Sequence, residues 1–348
     1  MGSRGPELRS SSLTYMPAID GLRTVAVGLV VFIHVLPTTT FPGEIGVDVF
    51  FVISGFLITL ILLKQLARTE TIALGRFYAN RALRLYPPLL VVVLFTVVVG
   101  VFPGQSLGES LKGAAIALLY LGNIYMTVTG SWLGDLSHTW SLAMEEQFYL
   151  VWPAILLLLY RKRARVPAIA TGLFLIAGLM LVGWMLTGDE MQFNPLTRGV
   201  GLVIGCALAV LTRENHWYSP ALSTAGAIVF VAALVLVTAG YLPHLAMTPI
   251  AVLSVAPIVL QLAYGRGLPT RVLSLPPVVY LGVISYEIYL WHYPILAVLF
   301  RGTALPGWAI AGVGIAATLI LSVATHRYIS APVLRWRDRR RGRAAPAS

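Results

Sequence analysis

Charged residues and cysteine are both scarce in this chain. Asp, Glu, Lys and Arg together make up only 11% of its 348 residues, whereas a soluble domain carries about 25%. So few charges cannot cover a water-facing surface, which excludes an ordinary soluble protein. The single cysteine, Cys206, excludes an intrachain disulfide and a metal site built from several cysteines. We expect it to pack within the apolar run GLVIGCALAV, and we predict no metal site.

Acidic residues are scarcer than basic ones, at 14 against 25, which gives a formal net charge of +11. Such an excess can indicate nucleic-acid binding. Here the basic residues cluster at the ends of apolar runs and in the tail RWRDRRRGR, where cytoplasmic loops of membrane proteins carry Lys and Arg. We therefore interpret the charge as membrane topology and expect no nucleic-acid partner. The tail could also attract anionic membrane lipid.

What the chain does have is a series of long apolar runs. Its mean hydropathy is +0.82, and repeated runs approach the roughly 20 residues that a membrane-crossing helix needs. Stretches such as LLVVVLFTVVVG lack the alternation of a β-barrel. The sequence therefore predicts an all-α membrane protein, a bundle of ten transmembrane helices. The expected spans lie near 22–37, 47–63, 86–102, 144–160, 167–187, 196–212, 220–239, 244–264, 279–300 and 308–327.

One further apolar segment, at about 109–128, does not fit as an eleventh span. If it crossed, every later basic loop would lie outside, against the positive-inside rule. It also contains Glu109, Lys112 and Asn123. We therefore expect it to re-enter or to lie at the interface, so that the segment after it helps to roof a polar cavity on the outer side.

The same count places both termini in the cytoplasm and gives one domain. We expect a cytoplasmic N-terminal segment at 1–19, a transmembrane domain at 20–332 and a basic cytoplasmic tail at 333–348. The first apolar run, VAVGLVVFIHVL, has no cleavage site after it and should remain as an anchor. The expected location is a cell membrane, in the multi-pass arrangement of a bacterial inner-membrane protein.

Ionisable residues inside apolar spans are costly and are candidates for function. Asp20 and Arg23 lie at the cytoplasmic mouth of the first span, and His34 follows Arg23 by eleven residues. Eleven steps of about 100° end only about 20° past three full turns, so Arg23 and His34 share one helical stripe. Histidine suits general acid or base work because its ordinary pKa is near neutrality. The alternative is a hydrogen-bonded histidine between helices.

Two groups of carboxylates could assist His34. Glu44 and Asp48 flank the start of the second span, and either could orient the imidazole; Asp48 could equally be an acid favoured at a helix N-terminus. Glu145 shares a helical face with Tyr149, and Glu146 points about 100° away. We expect one of these adjacent acids to be catalytic or orienting and the other to be the structural partner of an arginine.

Several other polar residues stand out in or beside the spans. In GRFYANRALRLYPP, Arg81 and Arg84 share a face, with Arg76 before them. Paired guanidiniums match phosphate geometry, although cytoplasmic charge alone would also place arginines here. The remaining candidates are His138, Trp140 and Ser141 in HTWSLAMEEQFYLVWP, Arg198 at the start of a glycine-rich span, and Tyr286 and His292 in SYEIYLWHYP.

These stretches together resemble the acyltransferase-3 family of integral membrane O-acyltransferases. The resemblance runs from Tyr15 to Pro332 and is carried by five stretches in order: AIDGLRTVAVGLVVFIHV, GEIGVDVFFVISGFLIT, RFYANRALRLYP, HTWSLAMEEQFYLVWP and SYEIYLWHYPI. It implies a ten-helix bundle that takes an acyl group from cytoplasmic acyl-CoA and passes it to a hydroxyl, often on a sugar. Acyl-CoA, with acetyl-CoA expected, is then a co-substrate, and no cofactor is held permanently.

The resemblance also implies roles for particular residues. It makes His34 the residue needed for transfer, and from their positions we expect Asp48 or Glu145 to be its assisting acid. It assigns the CoA phosphates to Arg81 and Arg84, with help from Arg23 and Arg76. The residues expected to form or support the acceptor site are Asp20, Glu44, His138, Trp140, Ser141, Glu146, Arg198, Tyr286 and His292.

The chain departs from the family pattern at two positions. The basic motif usually begins with two adjacent arginines, and here Asn80 replaces the first, so Arg76 could substitute for it. The position three residues after Arg198 usually holds a glutamate, and here it holds Gly201. Some members also carry an extracellular hydrolase-like domain, which we expect this chain to lack.

The sequence therefore predicts an O-acyltransferase that modifies a sugar, a cell-surface glycan or a glycosylated product. An alternative acceptor is a secreted natural product such as a macrolide. A transporter or flippase of a lipid-linked or glycosylated substrate is the rival from another class, because buried charge in a helix bundle suits transport as well. The absence of a detectable inverted repeat disfavours that rival.

Overall fold

The structure of the chain is a computed structural model that describes residues 15–36, 40–100, 106–188, 192–213 and 217–344. Within these ranges all regular elements are helical, which confirms the all-α fold class. The α-helices are α1 Pro17–Val35, α2 Ile45–Thr69, α3 Leu74–Gly100, α4 Leu107–Leu118, α5 Gly122–Thr129, α6 Trp140–Arg161, α7 Val166–Thr187, α8 Pro195–Arg198, α9 Val200–Leu211, α10 Pro220–Thr238, α11 Met247–Tyr264, α12 Leu268–Leu273, α13 Pro276–Val283, α14 Ser285–Gly302, α15 Gly307–Thr325 and α16 Ala331–Ala344. Short 3₁₀ turns cover Gly134–Thr139 and His244–Ala246, and a π-helical turn covers His326–Ser330.

Eight helical stretches in the described residues are long and apolar enough to cross a membrane. A ninth span is formed if α13 and α14, which meet at an angle of 65°, are counted together. The span expected near 196–212 falls on a shorter apolar stretch, Pro195–Leu211, which α8 and α9 share. The ten expected crossings thus correspond to eight long helices, one bent pair and one short helical stretch.

The segment that did not fit as a span is broken into two short helices. A capping box of Ser106 and Glu109 begins α4, and Tyr120 adopts a positive φ of 52° in the turn that ends it. α5 follows and ends at Gly130, whose φ is 64°. Helices of 12 and 8 residues are both too short to cross a bilayer, which needs about 20. The break agrees with a re-entrant or interfacial segment.

The bundle is organised around α2, which packs against α1, α6, α9 and α11. Glycines allow α2 and α9 to approach closely. A methyl group added at Gly55 would lie 2.0 Å from the carbonyl oxygen of Leu202, and one added at Gly205 would lie 2.3 Å from the carbonyl oxygen of Val52. Gly201 also faces α2, because a methyl group added there would lie 2.9 Å from the Phe51 Cβ. A glutamate at position 201 would therefore collide with α2.

Three elements from distant parts of the sequence meet in another part of the bundle. α1 packs against α14, and α14 in turn packs against the 3₁₀ turn Gly134–Thr139 that leads into α6. These contacts bring the second half of α1, the start of the HTW stretch and the middle of α14 together. Each of the three elements carries one histidine to this point.

Candidate active site

A cluster of three histidines lies where these three elements meet. The ring centroids of His34 and His292 are 5.1 Å apart, and those of His138 and His292 are 5.4 Å apart. Tyr293 joins the cluster, with its ring 5.1 Å from both His34 and His138. His138 and His292 are buried and His34 is half-buried. The sequence singled out each histidine separately, and the fold brings them together.

The hydrogen bonds of the cluster define its tautomers. The Nδ1 atom of His34 lies 2.7 Å from the Val30 carbonyl oxygen, and that of His292 lies 2.6 Å from the Tyr289 carbonyl oxygen. A carbonyl only accepts, so each Nδ1 carries the proton and each neutral ring keeps its lone pair on Nε2. Within the described residues, Nε2 of His292 and both ring nitrogens of His138 have no hydrogen-bond partner.

The carboxylates expected to orient His34 do not contact it. Asp48 is fully buried and accepts a hydrogen bond of 2.9 Å from Arg198 Nη2, and Arg198 also donates to Thr248 Oγ1 at 2.5 Å. Asp48 therefore ties α2 to α8 and α11. The helix of His34 itself, through Val30, orients the imidazole. The expectation that Asp48 contacts His34 is corrected because Arg198, 150 residues away, could not be placed from sequence spacing.

The two adjacent acids of α6 have different partners. Glu145 Oε1 accepts hydrogen bonds of 2.6 Å from both Ser54 and Tyr149, and no contact joins Glu145 to His34 among the described residues. Glu146 forms a two-point ion pair with Arg81, whose guanidinium carbon also lies 3.5 Å from the centre of the Tyr149 ring. Of the two acids, Glu146 is the one that holds an arginine.

A polar cavity of about 150 Å³ surrounds these groups. Arg81 and Arg84 line it together with Arg23, Glu145 and Tyr286. Arg84 is exposed and forms no ion pair within the described residues, whereas Arg81 is engaged by Glu146. Arg76 is also exposed, eight residues before Arg84 on α3.

A second, narrower cavity of about 60 Å³ continues from the first. Both cavities are lined by Arg23, Ser54, Leu142, Glu145 and Tyr286. The second also reaches Ser141 and Tyr289. The Tyr289 hydroxyl donates to the His138 carbonyl at 2.6 Å and therefore accepts from Ser141 Oγ at 2.7 Å. The Tyr289 ring lies 5.4 Å from the rings of both His138 and His292. The two cavities and the Tyr289 ring thus form a path of neighbouring groups from the arginines to the histidine cluster, in which Tyr289 rather than a histidine lines the narrower cavity.

The remaining candidate residues lie around this path or outside it. Asp20 forms an ion pair of 3.6 Å with Arg23, and the Tyr286 hydroxyl donates to the Leu85 carbonyl. Glu44 contacts His244 at 3.4 Å. The Trp140 ring packs on Phe193 at 5.3 Å.

Two features of the site were not found from the sequence. Tyr289 and Tyr293 flank the histidines, but both sit in an aromatic stretch that is equally typical of a membrane interface. Asp135 and Arg301 form a two-point ion pair, with contacts of 2.5 and 2.6 Å, at the histidine end of the bundle. Charges at the ends of apolar runs gave a signal for Arg301, but nothing in the spacing links it to a residue 166 positions earlier.

Comparison with known proteins decides the family. The model of an acyltransferase domain, Acyl_transf_3, matches residues 16–327. The chain belongs to the acyltransferase-3 family. This agrees with the resemblance carried by the five stretches, which is to a family of membrane acyltransferases. No solved structure matches the chain.

The chain is also similar to curated proteins that are named as O-acetyltransferases. It is 33% identical to peptidoglycan O-acetyltransferase OatA of Listeria monocytogenes, over 92% of this chain and 56% of the relative. It is 34% identical to putative peptidoglycan O-acetyltransferase YrhL of Bacillus subtilis, over 81% of this chain and 49% of the relative. It is 31% identical to O-acetyltransferase OatA of Staphylococcus aureus, over 81% of this chain and 51% of the relative. The chain thus spans about half the length of these relatives.

Proposed function

We propose that this acyltransferase transfers an acetyl group from cytoplasmic acetyl-CoA to a hydroxyl of cell-wall glycan. The acetyl group and the glycan acceptor are supported by the relatives, two of which are named for peptidoglycan O-acetylation. The CoA donor is supported by the arginine-lined cavity, because guanidinium groups pair well with phosphates. The observation that carries the proposal is the path of neighbouring groups from Arg81 and Arg84, through the two cavities and Tyr289, to the cluster that contains His34.

The donor enters at the basic end of this path. Arg84 and Arg23 meet the CoA phosphates, and Arg81, held by Glu146, shapes the cavity beside them. The thin pantetheine arm follows the narrower cavity past Ser54 and Ser141. Arg23 and His34 are eleven residues apart on α1, or about 16 Å along its axis. The arm therefore carries the thioester from the phosphate site toward the histidines.

His34 acts as the general base of the transfer. Its Nδ1–H is fixed on Val30, so the Nε2 lone pair takes the proton of the acceptor hydroxyl. The hydroxyl oxygen forms a bond to the thioester carbonyl carbon, the carbon–sulfur bond breaks, and the proton passes from Nε2 to the CoA sulfur. Nε2 of His292, which is also a lone-pair site, lies in the same cluster and can hold a proton during turnover.

The test measures transfer of label from acetyl-labelled acetyl-CoA to peptidoglycan in membranes that contain the protein. We expect the wild type to label the glycan and His34→Ala to abolish labelling at equal protein level. His244→Ala is the matched control, because His244 is an exposed histidine, paired with Glu44, whose ring is not part of the cluster. Labelling that survives His34→Ala would contradict the mechanism. If the wild type moved a glycan or lipid across vesicles without acetylating it, transport would replace this proposal.

A further inference from the structure

A separate cleft opens beside the histidine cluster, at the end of the bundle away from Arg81 and Arg84. It lies between the end of α3, the helices α4 and α5, and the residues around the 3₁₀ turn Gly134–Thr139. Its volume is about 330 Å³, within the range of pockets that hold small ligands. The proposed reaction path does not use this cleft.

The lining of the cleft is polar, with charges that balance. Lys112 Nζ donates to the Tyr125 hydroxyl at 2.9 Å, and Glu109 caps its own helix through Ser106. Asp135 is neutralised by its ion pair with Arg301. With one base and two acids, both already engaged, the cleft lacks the positive excess that phosphate recognition requires. The lining suits an uncharged ligand rich in hydroxyl and amide groups.

Two features point to a ligand rather than to a simple surface hollow. Ser110 lines the cleft and is 9% exposed as a residue, and its hydroxyl, which is itself buried, has no hydrogen-bond partner among the described residues. Buried polar groups are normally paired, so this hydroxyl has an unused hydrogen bond that it could give to a ligand by turning towards the cleft. Trp132, which is 64% exposed, provides an aromatic surface at the rim. Its ring packs on Phe193 at 5.5 Å, which keeps it in place.

The cleft is physically linked to the histidine cluster. Asp135 precedes His138 by three residues within one 3₁₀ turn. Its partner Arg301 follows His292 by nine residues on α14. The Asp135–Arg301 pair therefore fixes one wall of the cleft to both elements that carry the buried histidines.

We propose that this cleft binds a saccharide unit of the acceptor glycan, with Trp132 against the face of the sugar ring and Ser110 bonded to a polar substituent. The inference rests on the proposed function, because it gives the acceptor of that reaction its binding site. An aromatic ring beside balanced polar groups matches a sugar, which has an apolar face and a polar rim. A tryptophan that only anchored the helices at the membrane surface would have no effect on glycan binding.

The first arm of the test measures binding without catalysis. The probe is soluble glycan strands released from peptidoglycan by removal of the stem peptides, and the protein is the full chain in detergent. We expect Trp132→Ala to weaken binding about tenfold, which corresponds to about 1.4 kcal/mol. Trp132→Phe should weaken it less, and Ser110→Ala should weaken it with an unchanged melting temperature. His34→Ala should bind normally, since the cleft is separate from the base. Trp308→Ala is the matched control, because Trp308 is 79% exposed and does not line the cleft.

The second arm measures transfer. We expect Trp132→Ala to raise KM for the strands about tenfold while kcat and KM for acetyl-CoA stay unchanged. If Trp132→Ala and Ser110→Ala bind and use the strands as the wild type does, or if the wild type does not bind them, the cleft is not the acceptor site. If binding of the glycan strands depends on Trp132 but the protein transfers no acetyl group, the proposed function is contradicted and the binding site is supported.

Discussion

His34 and His292 are held in the same way, each by an Nδ1 hydrogen bond to a backbone carbonyl of its own helix. This bond leaves Nε2 as the acceptor in both rings. A catalytic histidine is more often oriented by a carboxylate, which also stabilises the imidazolium. A backbone carbonyl orients the ring without a full negative charge and therefore stabilises the imidazolium less than a carboxylate does. His34 can then pass its proton more easily to the leaving sulfur.

Arg81 and Arg84, which both line the polar cavity, should respond differently to substitution. Arg84 is exposed and has no ion pair among the described residues, so Arg84→Gln should raise KM for acetyl-CoA about tenfold, as expected for losing one charged hydrogen bond, without changing stability. Arg81→Gln should also lower the melting temperature, because it leaves Glu146 without its partner. Arg213→Gln, just after α9 and outside this cavity, is the control. Steady-state kinetics with thermal unfolding in detergent would check both; equal effects of the two substitutions on stability would contradict the distinction.

Asp48 should prove to be structural rather than catalytic. Asp48→Asn leaves the buried Arg198 charge without its partner, and breaking a buried pair in this way costs about 3–5 kcal/mol. We expect a large fall in melting temperature and in the yield of folded protein. Asp338→Asn, in an exposed pair with Arg337, is the control and should change little. If the Asp48→Asn protein is fully stable but has no transfer activity, Asp48 has a role in catalysis and the structural assignment is contradicted.

At the scale of helices, local patterns were sufficient for much of the fold. The stripe of Arg23 and His34 on α1 follows from their spacing, and both ends of that stripe do line or adjoin the path. The break between α4 and α5 could be anticipated because Glu109, Lys112 and Asn123 are unsuited to lipid. Asn123 is in fact buried and exchanges amide hydrogen bonds with Gln147 on α6.

Other features could not be predicted because they depend on contacts between distant residues. The sequence offers Asp48 and Glu145 as equal partners for His34, and only the packing of α2 on α8 and α6 assigns them elsewhere. His138 and His292 are 154 positions apart, and no periodicity relates them. The 65° bend between α13 and α14 was also missed, because its residues read as one continuous apolar run.

The contact between α2 and α9 should be sensitive to any side chain at Gly205. Gly205→Val places new atoms against the Val52 carbonyl, and such overpacking costs about 1–3 kcal/mol. We expect a lower melting temperature and less folded protein. The control is Gly178→Ala on α7, where an added methyl meets nothing within 4 Å and where alanine favours the helix over glycine. An unchanged melting temperature in Gly205→Val would show that the two helices are not as close as the structure places them.

At the scale of the whole molecule, the site joins two ends of the bundle. The arginine cavity opens near the start of α1, where the basic loops also lie, and the histidines and the glycan cleft lie near its far end. The positive-inside rule favours a cytoplasmic location for the basic end, and we propose that orientation. Donor and acceptor can then bind on opposite sides of the membrane, and only the acetyl group has to pass between them.

The most direct test of this arrangement separates the two substrates by a sealed membrane. Labelled acetyl-CoA, which does not cross bilayers, is enclosed in proteoliposomes, and soluble glycan strands are added outside. The fraction of molecules oriented with the basic end inward is measured from the protection of the C-terminal tail against protease added outside. We predict that label reaches the external strands with the wild type and not with His34→Ala. Transfer that occurs only when donor and strands share one compartment would contradict the path from the arginines to the histidines.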